Sequence, residues 1–140
     1  MNVTLRGRRQ HHRTVSFDAL ANAVVLIEQR LLPHDFRLVK TRDYRETAEA
    51  ITTMVVRGAG AIGATAAYGL AQGARAFRGQ RMDRFEAHIE TVYQTLKDAR
   101  PTAVDPVNAM NAIREEMSIG ETVSERQDIA FAAASRFAEE

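Results

Sequence analysis

Cysteine is absent from all 140 residues. That excludes a disulfide scaffold, thiol catalysis within this chain and any zinc site built on cysteine. No apolar run approaches the roughly 18 residues a membrane-crossing helix needs, so no membrane partner is expected. The N-terminus is basic but lacks an apolar stretch followed by small residues, so no secretory signal is visible. A large charge of either sign is also missing: 19 Lys and Arg against 18 Asp and Glu leave a net charge of +1. With only 6% aromatic residues there is no platform for stacking bases, which weighs against a nucleic-acid partner. A cytoplasmic protein is the expectation.

What remains has an ordinary globular balance, 45% apolar and 26% charged. A chain of this length forms one domain and buries roughly 68% of its unfolded surface. The cluster Arg6, Arg8, Arg9, His11, His12 and Arg13 reads as a flexible basic terminus, residues 1–13. His11-His12 has no further ligands at metal-site spacing, so no metal is expected.

Residues 14–140 divide into a short β-prone part and a longer helical part. Ala23–Ile27 is a continuous apolar run of strand length, and Phe36–Lys40 alternates. Pro33-His34-Asp35 between them is turn chemistry, and Thr14–Phe17 offers a third strand. Asp43 with Glu46 has capping-box spacing, and Ala48, Ile51, Met54 and Val55 recur at helical intervals. A second helix is expected over about 61–77; its small residues allow neighbouring backbones to come close. Asp83 and Glu86 open a third, with Phe85, Ile89, Val92 and Leu96 on one stripe. Arg100-Pro101 ends it. Asp105-Pro106 is an N-cap followed by proline at the first helical position, starting a fourth helix that Gly120 closes. Ser124 and Gln127 have capping-box spacing for a fifth, with Ile129, Ala133 and Phe137 on one side. That helix shows no stop signal at Glu139-Glu140, so the natural chain is expected to continue. The predicted class is α+β, mostly α: a small N-terminal antiparallel sheet of two or three strands, then about five helices.

The stretch 54–75 carries the chemistry. Gly58-x-Gly60-x-x-Gly63 matches the dinucleotide fingerprint literally, but that motif must follow a strand and precede a second one. Here the preceding segment has the period and cap of a helix, and residues 74–81 make no buried parallel strand. Two readings stay open. In the first, the glycines serve only to let helices pack, with Arg57 on the surface. Alternatively, free backbone N–H groups at a helix N-terminus, beside the guanidinium fork of Arg57, form a phosphate site. Arg100-Pro101-Thr102-Ala103 is either a plain helix connection or a second arginine loop aimed at the same anion.

The segments Met54–Gly63, Ala66–Ala71 and Ala99–Val104 resemble the N-terminal half of the family uniting methylthioribose-1-phosphate isomerase, ribose-1,5-bisphosphate isomerase and the regulatory subunits of translation initiation factor 2B. Gln29–Pro33 and the helix at 43–55 are similar to it too, so the likeness runs from about Thr14 onward. It implies a two-domain protein, usually a homodimer, without a cofactor. Its N-terminal domain carries a small sheet and helices, and its C-terminal domain is Rossmann-like. By motif, Arg57, Gly58, Ala59 and Arg100 would hold the sugar 1-phosphate. The implied reaction, in methionine salvage, converts methylthioribose 1-phosphate to methylthioribulose 1-phosphate. It opens the ring and moves hydrogen between C1 and C2, using a cysteine and an aspartate of the second domain. Neither maps onto this chain, so no catalytic residue is assigned and the chain alone is expected to be inactive. Gly60 stands where the methylthioribose enzymes usually have proline, and Asn108-Ala109 resembles the bisphosphate branch; both bear on which sugar is bound. The alternative implied by the likeness is a metabolite-sensing module like the initiation factor subunits.

Overall fold

The computed structural model describes residues 2–5, 8–11, 15–27, 38–53, 55, 59–100 and 103–139. Strands β3 (Val15–Asp18), β4 (Ala23–Ile27) and β5 (Leu38–Thr41) form an antiparallel meander in the order β3-β4-β5, with Phe17 opposite Val24 and Leu26 opposite Val39. β4 is central, and Ala23, Val24, Leu26 and Ile27 are all buried, which explains its unbroken apolar run. The expected turn at 33–35 and the first two residues of the expected Phe36–Lys40 strand lie outside the described residues. The β3–β4 turn closes on Asn22, whose φ of +50° suits a short polar side chain. The Asp18 carboxylate accepts the Ala21 N–H and an ion pair from Lys40, and these, in that order, lower its pKa. β1 (Asn2–Leu5) and β2 (Arg8–His11) pair antiparallel, a ladder made by backbone bonds that a basic composition does not forbid.

Five helices follow: α1 (Tyr44–Thr52), α2 (Ala59–Ala76), α3 (Met82–Ala99), α4 (Asp105–Met117) and α5 (Val123–Glu139). Asp43 caps α1 as expected, accepting the Glu46 N–H at 2.9 Å, while Glu46 reaches back to the Arg42 N–H. Two caps sit one or two residues upstream of the sequence reading. Val104 is the N-cap of α4, leaving Asp105 and Pro106 in its first turn. The hydroxyl of Thr122 accepts the Glu125 N–H, and Glu125 accepts the Glu121 N–H, so that pair, not Ser124 and Gln127, forms the capping box of α5. Gln127 is used elsewhere: its amide donates to Ala74 O and Phe77 O, closing the C-terminal end of α2.

α2 is the centre of the molecule, packing against the other four helices and against β3 and β4. Nearly all of its length from Ile62 to Ala74 is buried. Its glycines set the spacing. A Cβ at Gly73 would lie 2.6 and 2.7 Å from the two methyls of Val92, and one at Gly69 would lie 3.0 Å from both Leu96 and Thr47. The expected α3 stripe, Phe85, Ile89, Val92 and Leu96, is buried there. The sheet is tied on by Gln72, which is fully buried. Thr47 Oγ1 donates to Gln72 Oε1 at 2.6 Å; because that oxygen only accepts, Thr41 Oγ1 donates in turn to Thr47 Oγ1, also at 2.6 Å. Gln72 Nε2 donates to Asn22 O and Thr41 O, and Asn22 Nδ2 returns a bond to Gln72 O.

Gly73→Ala is expected to destabilise the fold by about 1–3 kcal/mol through overpacking. This should outweigh the roughly 0.5–1 kcal/mol that alanine ordinarily gains over glycine within a helix. Urea unfolding measures it; an unchanged or higher midpoint would show that α2 and α3 are not held at this separation.

Candidate functional site

The connections holding the two arginine motifs leave and re-enter the bundle at one end. α1 finishes with Thr53 as C-cap, and the Val55 N–H donates to Ala50 O at 3.0 Å, the six-to-one bond of a Schellman motif. Val55 is buried, which fixes where the chain leaves α1. In the last turn of α1, Thr52 Oγ1 donates to Ala99 O at the last residue of α3, at 3.2 Å. The two C-termini are therefore adjacent. The two N-termini are adjacent as well: a Cβ at Gly63, in the second turn of α2, would lie 3.7 Å from Asp105 O at the start of α4. It would also lie 3.5 Å from the Phe137 ring, near the end of α5. The α1–α2 and α3–α4 connections thus run from one pair of adjacent ends to the other.

Of the four residues expected to hold phosphate, Arg57 and Gly58 lie outside the described residues. Ala59 is the first residue of α2. Arg100 is the half-buried C-cap of α3. Its N–H donates to Lys97 O at 3.3 Å, and its carbonyl accepts the Ala103 N–H at 3.0 Å. The first turn of α2 holds no acidic residue, whereas α1, α3, α4 and α5 each carry one. The partial positive charge of its N-terminus is therefore not offset in that turn. Gly60 beside it is exposed, and a Cβ there would meet nothing within 4 Å. Among the described residues, no group of three or more His, Cys, Asp or Glu is placed to hold a metal ion.

A separate cleft lies elsewhere. A cavity of about 530 Å³ is lined by Phe85, Ile89, Glu90, Arg114, Met117 and Arg126, among others. It sits by the N-terminal half of α3, roughly 20 Å along the helix axis from Arg100 at 1.5 Å per residue. Its arginines are engaged, Arg114 with Glu90 and Arg126 with Glu86. Sequence reading missed Thr52 and the Ala103 N–H at the candidate site. Each acts through one bond to a partner the local pattern does not name.

The family model described as "Initiation factor 2 subunit family" matches residues 55–140. A methylthioribose-1-phosphate isomerase of Brucella anthropi is 39% identical over 132 residues, covering 94% of this chain and 34% of that protein. The crystal structure of 5-methylthioribose 1-phosphate isomerase from Pyrococcus horikoshii superposes with a TM-score of 0.86 at 36% identity, over 93% of this chain and 36% of that one. Subunit delta of the translation initiation factor eIF-2B from A. fulgidus superposes with a TM-score of 0.84 at 31% identity, over 92% and 37%. The chain thus spans about a third of the length of these relatives. No described helix is long and apolar enough to cross a membrane.

The open space around Gly60 leads to a test of the backbone alone. Gly60→Ala should leave the fold intact and raise unfolding stability by about 0.5 kcal/mol, the low end of the usual gain because the position lies in a first turn. Denaturant titration checks it; a loss of stability would mean that Gly60 is needed for packing.

Proposed function

Because the chain belongs to the initiation factor 2 subunit family, we propose that residues 14–140 form the N-terminal, substrate-binding domain of a sugar-phosphate aldose–ketose isomerase. Methylthioribose 1-phosphate is the substrate and methylthioribulose 1-phosphate the product. The reading is supported by relatives that carry that activity in their names at 37–39% identity over 94% of this chain. The single observation in the fold that supports it is the adjacency of the helix ends that flank the two arginine connections, Thr52 to Ala99 O on one side and Gly63 beside Asp105 O on the other.

In this reading Arg57 and Arg100 grip the phosphate oxygens with charge-assisted bonds, and the amides at Gly58 and Ala59 add donors at the positive end of α2. The binding is directional because a guanidinium presents a planar fork. Ring opening and the transfer of hydrogen between C1 and C2 need acid–base groups within hydrogen-bond reach of the moving proton. Those groups come from a Rossmann-like second domain that forms the opposite wall of the site. The protein works as a cytoplasmic homodimer without a cofactor or a nucleic-acid partner. The likeness to the eIF-2B delta subunit favours one second reading, a non-catalytic module in which the same anion site senses a phosphorylated metabolite.

Two measurements test this. The reading frame beyond Glu140 should encode the second domain with a loop cysteine and an acidic partner; a gene that stops there would remove the isomerase and favour the sensing module. Separately, NMR titration of the 140-residue chain with methylthioribose 1-phosphate should show weak binding, roughly millimolar, since one wall is present. Arg57→Ala and Arg100→Ala should each weaken it by about 10-fold or more, from the 1.5–3 kcal/mol of a hydrogen bond to a charged group, with melting temperature retained. A spectrum untouched by the ligand, or arginine variants that bind as well as the parent, would sink the site.

A further inference from the structure

Most threonine hydroxyls in the described helices and at their ends turn back on their own helix. Thr53, Thr65, Thr91 and Thr95 each donate to the carbonyl four residues earlier, at 2.7–3.2 Å. Thr47 Oγ1 also lies 3.2 Å from the carbonyl four residues earlier, Asp43 O, but its single proton goes to Gln72 Oε1 in the buried network. Thr52 is different. Its hydroxyl leaves α1 and donates to Ala99 O, 47 residues further along the chain and one residue before Arg100.

The carbonyl of Ala99 is one of the last four of α3, which have no partner within the helix. A carbonyl facing water there is free to tilt. Held by Thr52, it fixes the peptide plane joining Ala99 to Arg100. The other side of that plane is held too, because the Arg100 N–H donates to Lys97 O. The Ala103 N–H then secures Arg100 O. The backbone of Arg100 is thus held before and after its Cα, and only the side chain remains to be aimed.

We propose that Thr52 is a positioning residue that orients Arg100 toward the bound phosphate. This rests on the sugar-phosphate site proposed above. Thr52 is exposed on α1, away from the core. The fold therefore loses little without its hydroxyl, while the guanidinium loses its fixed starting point. The role also requires that Thr52 act through Arg100 and not beside it.

NMR titration of the full chain with methylthioribose 1-phosphate tests this in five forms: the parent, Thr52→Val, Thr52→Ser, Arg100→Ala, and the double variant Thr52→Val with Arg100→Ala. Valine keeps the shape and removes the hydroxyl; serine keeps the hydroxyl. Thr52→Val should weaken binding about threefold to tenfold, the value of one neutral hydrogen bond, with a melting temperature close to that of the parent. Thr52→Ser should restore the affinity. On the Arg100→Ala background, Thr52→Val should add no further loss. A purely structural role would instead lower the melting temperature and add its effect on both backgrounds, and that result overturns the proposal. So does an unchanged affinity in Thr52→Val while Arg100→Ala binds weakly. If Arg100→Ala itself binds like the parent, the sugar-phosphate site falls and this role falls with it.

Discussion

The rest of the structure depends on how closely α2 and α3 approach each other. Gly69 and Gly73 lie on one face, one turn apart, and Val92 and Leu96 fill the space that side chains there would need. The contact sets the axial position of α3 relative to α2, and hence where α3 ends. Because α1 is pinned to that end by Thr52, the position of Arg100 relative to the start of α2 follows from packing deep in the core. Small residues in the middle of the central buried helix thus determine the geometry of the candidate site at its tip.

The sheet joins this arrangement through polar chemistry. A fully buried glutamine would be costly with its amide unpaired, since each unsatisfied group costs on the order of 1–3 kcal/mol. Gln72 avoids that by bonding to Thr47 on α1, Thr41 on β5 and Asn22 in the β3–β4 turn. Apolar contacts tolerate sliding, whereas this set of donors and acceptors fits one register only. The meander is therefore keyed to α2 and not merely resting on it.

Much of this fold was legible in the sequence because it repeats. The α3 stripe, the continuous apolar strand at 23–27 and the Asp43 cap each leave a local period or a fixed spacing. What was misread lacks such a signature. Gln127 sits three residues after Ser124 and looked like half of a cap, but its partners are carbonyls 50 and 53 residues away. The β1–β2 ladder, made by backbone groups, likewise leaves no side-chain period. Gln72 carries no local cue for its burial. At the candidate site, the residue types and their two motifs could be read directly, as could the failure of the dinucleotide pattern in context. That the two connections share one end of the bundle could not, because Thr52 and Ala99 meet only after the chain has folded.

The closing of α2 by Gln127 has one more consequence. The helix is held near its C-terminal end by α5, from the last part of the chain, and at Gln72 by the β3–β4 turn and β5, from the first part. Neither part can open without stripping partners from the same central segment. The amides of α2 from about 66 to 74 should then exchange with solvent only through opening of the whole domain, so the sheet and the bundle behave as one cooperative unit.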